Sequence, residues 1–69
     1  MIKQNNAKKA ILMEWYKLPE EERETEHQAA VFALKMLKER PDITNFRFRG
    51  DHYQIIKGWL CTYLSIPDR

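Results

Sequence analysis

"NFRFRGDHYQ", residues 45–54, is the stretch on which the fold turns. Phe46 and Phe48 alternate with Arg47 and Arg49, a period of two that belongs to extended chain. The alternation lasts only from Asn45 to Arg49, and the rest of the sequence reads as helix. Isolated pairs of short strands are weak. The expectation is therefore an extended link that plugs Phe46 and Phe48 into a helical core and turns Arg47 and Arg49 outward. The alternative is half of a ribbon shared between two chains. Gly50 would let the chain turn sharply. Asp51 is then an N-cap, with Gln54 at the capping-box position of the helix that follows.

That helix is expected from His52 to about Ser65, stopped by Pro67. Ile55, Ile56, Trp59, Leu60 and Tyr63 form its core stripe. His52 falls on the same face and reads as a satisfied, half-buried histidine. The opposite face carries Gln54, Gly58, Cys61, Thr62 and Ser65, and Lys57 is the one fully charged residue from His52 to Ile66. Small uncharged residues permit close approach. The helix is either wrapped by the others or forms a self-association surface at Gly58, Cys61, Thr62 and Ser65, giving a homodimer.

Working back towards the N-terminus, Pro41 ends a second helix and pushes Arg40 out of helical geometry. Ala29, Ala30, Phe32, Ala33, Leu34, Met36 and Leu37 share its apolar arc. Its start has two readings. Pro19 suits a first helical position, followed by glutamates that the helix dipole favours. Thr25 and Gln28 form a capping box. A start near Pro19 is preferred, with a break or short first turn before Thr25. A first helix is expected from Ala7 to Lys17, capped by Asn5 or Asn6. Ala7, Ile11, Trp15 and Leu18 make its stripe. The fold class is thus all-α: a small three-helix domain with an extended link over residues 41–50 before the last helix. Both Trp15 and Trp59 are expected to be buried.

A chain of 69 residues holds one domain, spanning 1–69. Domains this small bury only about 60% of the surface of the unfolded chain and are marginally stable. One cysteine, Cys61, excludes an internal disulfide and suits a reducing compartment. Met1-Ile2-Lys3-Gln4 does not open a signal peptide, and the apolar run Ala29–Leu34 is too short for a membrane span. A cytoplasmic protein with no membrane partner is expected. The net charge of +2 hides segregation: residues 1–17 carry +3, residues 18–27 carry −4 and residues 28–69 carry +3. Such blocks create local fields.

Catalysis is not expected. Cys61, His27 and His52 are isolated from one another, with no nucleophile motif around them. A zinc site needs three or four ligands at recognisable spacing, and neither C-x-x-C nor H-x-x-x-H occurs. Two glycines cannot write a phosphate-cradling loop or a dinucleotide fingerprint. No cofactor and no metal are implied.

Binding to a macromolecule remains, in two forms. Nucleic acid is slightly favoured. Arg47, Arg49, His52, Tyr53, Gln54 and Lys57 surround the N-terminus of the last helix, whose amides attract phosphate. The order helix–helix–link–helix is compatible with a helix-turn-helix-like domain whose last helix reads DNA. The alternative is a protein-binding inhibitor or adaptor. It would act through an acidic docking patch at Glu20, Glu21, Glu22 and Glu24, or through the low-charge face of the last helix.

Overall fold

The computed structural model describes residues 2–64. It is all-α, with helices α1 (Gln4–Trp15), α2 (Glu26–Glu39), α3 (Pro41–Thr44) and α4 (His52–Thr62). α4 packs chiefly on α2 and also on α1, while the short α3 sits against both α1 and α2.

The α1 stripe falls where the sequence puts it: Ala7, Ile11 and Trp15 are fully buried and Leu18 partly so. Its boundaries differ from expectation. The helix begins at Gln4, so Asn5 and Asn6 lie within its first turn rather than capping it, and Lys3 is the extended residue before it. The cause is tertiary. Ile2 forms a parallel bridge with Phe46, and its N–H donates to the Asn45 carbonyl at 3.2 Å. That docking fixes the chain as extended up to Lys3 and leaves the helix to start immediately after. At the other end α1 stops at Trp15, not Lys17; the amides of Lys17 and Leu18 tighten onto the carbonyls of Glu14 and Trp15.

Pro19 does not open α2. It precedes a single 3₁₀ turn, Glu20–Glu22, and α2 starts at Glu26 behind Thr25. The capping box supplies the backbone groups at this helix start with partners. Thr25 Oγ1 accepts the Gln28 N–H at 3.1 Å. Gln28 Oε1 accepts the N–H groups of both Glu24 and Thr25, and its Nε2 donates to the Glu21 carbonyl. Arg23 Nε donates to the Leu18 carbonyl at 2.9 Å, and its guanidinium lies over the Tyr16 ring.

Along α2, Ala29, Phe32, Ala33 and Met36 are buried. Leu34, expected in the apolar arc, is 56% exposed, and Val31 is 52% exposed. At about 100° per residue both lie some 150° from the centre of the buried four. Only a narrow stripe of α2 meets the core.

Arg40 leaves helical geometry, at φ −127° and ψ 63°, and Pro41 starts α3 at once. The first part of the expected extended link is therefore a turn of α-helix. It buries Ile43 and Thr44, and the Thr44 hydroxyl donates to the Arg40 carbonyl. The extended part begins at Asn45, and the chain bends at Arg49 and Gly50 before Asp51. Phe46 is 2% exposed and meets the Trp59 ring with centroids 5.4 Å apart. Phe48 is half-buried. Gly50 does not adopt a positive φ. Its role is room: a Cβ there would stand 2.8 Å from Cε2 of Phe48.

In α4, Ile56 and Leu60 are fully buried, whereas Ile55 and Trp59 are half-buried and Tyr63 lies exposed just past the helix end. Tyr63 still serves the core through its carbonyl, which accepts the indole N–H of buried Trp15 at 3.3 Å. The expected helix end at Ser65 and the stop at Pro67 lie outside the described residues. No helix of the described chain is long and apolar enough to cross a membrane.

Candidate nucleic-acid interface

Alternation in the link does orient the arginines. With Phe46 buried and Phe48 packed against the core, Arg47 and Arg49 are exposed. His52 anchors the same segment: its Nε2 lies 2.7 Å from the Phe46 carbonyl, and its ring packs against both phenylalanines. An Nε2–H tautomer donates this bond. His52 is thus a tie for the link and not a free contact group.

The N-terminus of α4 is also occupied. The Asp51 carboxylate accepts the Tyr53 N–H at 2.9 Å, so the cap closes on the second residue of the helix and not on Gln54. A carboxylate at this point opposes a phosphate. Lys57 is engaged within the chain. It forms a 2.9 Å ion pair with Glu26 at the start of α2, and that hydrogen bond, aided by the glutamate's charge, raises the lysine above its ordinary pKa. Of the six residues expected to touch a partner, Arg47 and Arg49 project as anticipated and Gln54 is exposed. Tyr53 is half-buried, and His52 and Lys57 are engaged within the chain.

What the chain adds to the arginines comes from α1. Parallel pairing of Ile2 with Phe46 sets the next residues, Lys3 and Arg47, side by side on the outward side of the bridge. Both are exposed. Five residues after Lys3, Lys8 lines a groove of about 330 Å³ together with Gln4, Asn5 and Trp59. The first turn of α1 holds no acid and no side-chain cap. None of Lys3, Lys8, Arg47 and Arg49 takes part in an ion pair among the described residues. The same holds for Lys9, Arg23, Lys35 and Lys38, whereas Lys17 pairs with Glu14, and Arg40 with both Asp42 and Glu14. The Lys17 hydrogen bond lowers the Glu14 carboxyl below its ordinary range, and the Arg40 hydrogen bond does the same for Asp42.

The remaining expected surfaces are separate from this one. Glu20, Glu21 and Glu22 are exposed on the 3₁₀ turn, and Glu24 is half-buried. Glu22 borders a second groove, of about 230 Å³, lined also by Leu18, His27, Val31, Phe32 and Lys35. On α4, Gly58 and Thr62 are exposed and Cys61 half-buried. A Cβ at Gly58 would meet nothing within 4 Å. α4 is therefore not wrapped by the other helices, and this face lies open in the single chain. Ser65 is outside the described residues.

Sequence reasoning misses Lys3 as the neighbour of Arg47, and it misses the groove that Trp59 shares with Gln4, Asn5 and Lys8. Trp59 reads as pure core because it sits on the stripe. The one signal is Ile2, a β-branched apolar residue upstream of the α1 stripe, but periodicity has no means of naming its partner 44 positions away. Comparison of the chain with protein-family models, curated proteins and solved structures finds no match.

Proposed function

We propose that this protein is a small non-enzymatic nucleic-acid-binding module that grips phosphates with Lys3, Lys8, Arg47 and Arg49. One observation carries the reading: the Ile2–Phe46 bridge sets Lys3 beside Arg47 and leaves both without an acidic partner among the described residues. Clustered unpaired cations raise the local concentration of a polyanion and supply the sequence-independent part of its affinity. The arginines offer a planar fork to phosphate oxygens, and the lysines act as point charges. The last helix contributes little to this grip. Its N-terminus is capped by Asp51 and its lysine is paired with Glu26. The phosphate-positioning surface is accordingly assigned to the link and α1 rather than to a recognition helix.

The test is binding of a labelled oligonucleotide across a salt series. Arg47→Ala combined with Arg49→Ala should weaken binding while preserving the helical circular-dichroism spectrum. The salt slope should fall by about 0.9 for each phosphate left unneutralised on duplex DNA, or about 0.7 on a single strand. Unchanged affinity and unchanged slope would leave two solvated arginines beside two packed phenylalanines.

A second reading, a protein-binding adaptor, draws on the groove at Leu18, Val31 and Phe32, whose lining also holds Glu22, His27, Gln28 and Lys35. An apolar floor with charged groups of both signs around it suits an amphipathic segment. A partner recovered from lysate and retained after nuclease treatment would favour it.

A further inference from the structure

Resting on the nucleic-acid reading above, we infer that the groove beside Trp59 takes an unstacked base of a single strand, so that the protein prefers single-stranded over duplex nucleic acid. The lining has the required chemistry. Trp59 lines the groove, half-buried, with the Phe46 ring 5.4 Å from its own. An aromatic ring is a stacking platform that tolerates any base, because every base has a π-face. Gln4 and Asn5 bring carboxamides to the same groove. Each carries a donor and an acceptor, the set needed for the Watson–Crick edge of a base that has left its partner. Lys8 supplies a cation at the groove, and Lys3, next to Gln4 in the chain, is exposed. No acid lines the groove among the described residues.

The same molecule is poorly equipped for a duplex. A helix in the major groove reads base edges with polar and cationic side chains. From Gln54 to Thr62 the outward positions of α4 are Gln54, Gly58 and Thr62, and the Thr62 hydroxyl donates to the Gly58 carbonyl at 3.0 Å. Lys57 is held by Glu26. Base recognition therefore falls to the groove, which admits a base only when it is unpaired.

The experiment titrates the whole chain with an oligothymidylate of about ten nucleotides and with a duplex of the same length, following tryptophan emission. The single strand should bind about tenfold tighter than the duplex, the contribution expected of one stacked base. It should also quench emission, from Trp59, since Trp15 is fully buried. Trp59→Leu should lower single-strand affinity by about tenfold. Because Trp59 also packs on Phe46, the exposed pair Gln4→Ala and Asn5→Ala provides an arm that leaves the core intact, and it should weaken the single strand more than the duplex. Equal affinity for both forms with unchanged emission overturns this inference and leaves the phosphate-binding reading standing. Binding of neither form, at low salt, overturns both.

Discussion

Two junctions interrupt this chain, and they are closed by different physics. The first, residues 16–25, is held by bonds between near neighbours. Arg23 reaches back five residues to Leu18, Thr25 and Gln28 bond reciprocally, and Gln28 Nε2 spans seven residues to Glu21. It buries none of its own 3₁₀ turn. The second, residues 40–51, is held from a distance. Phe46 is sunk in the core, Ile2 bridges to it from the far end of the chain, and His52 ties its carbonyl down. A locally closed junction turns the chain and presents only its own side chains. A junction closed over long range brings other parts of the sequence to its surface, and here it brings Lys3 to Arg47.

The contrast breaks most sharply at Phe46. Phe46→Ala should cost about 3–5 kcal/mol, a large fraction of the stability of a domain this size. Urea denaturation followed by circular dichroism measures it. A variant as stable as the parent would mean that the second junction does not depend on the core. At the first junction the corresponding change is Gln28→Ala. It removes one acceptor of two backbone N–H groups and one donor, and should cost about 1–2 kcal/mol. The effect should appear as fraying of the start of α2, with Phe46 still protected. If instead the whole domain loosens, the two junctions are not independent.

Gly50→Ala tests how tightly the link is packed. The new Cβ would meet the Phe48 ring at 2.8 Å, and the half-buried ring must shift. Overpacking and the reduced entropy of the unfolded chain oppose each other. A net destabilisation of about 1 kcal/mol is expected, because the approach is closer than any ordinary one. A gain in urea midpoint would mean that the Phe48 ring yields freely.

The smallest effect is electrostatic and lies near the start of the second junction. Glu14 and Asp42 have folded pKa values lowered by Lys17 and Arg40 respectively. A lowered carboxyl binds fewer protons folded than unfolded, so its stabilisation is fully present above the ordinary carboxylate range and is lost as pH falls through the lowered values. The urea midpoint should therefore fall as pH drops through and below that range. Glu14→Gln with Asp42→Asn should make the curve shallower there. High salt should mute the difference, since both pairs are open to solvent.

Much of this protein is determined by sequence alone, wherever the deciding interactions are near in the chain. The stripe Ala7–Ile11–Trp15, the stop at Pro41 and the half-buried, satisfied state of His52 follow from periodicity and backbone restriction. The outward Arg47 and Arg49 follow from alternation once the phenylalanines are inside. The capping box at Thr25 is legible too. That Pro19 precedes only a 3₁₀ turn is not legible, because both start signals satisfy the same local rules. Tertiary structure alone decides the rest. Packing of α2 against α4 and α3 leaves Leu34 exposed, and a salt bridge from Glu26 removes Lys57 from the candidate surface. A bridge across 44 positions starts α1 at Gln4 and brings Lys3 to the link, and the fold sets Trp59 in one groove with Gln4, Asn5 and Lys8. Periodicity says which way a side chain faces within its own element; which other element it then meets is settled by the packing of the whole chain.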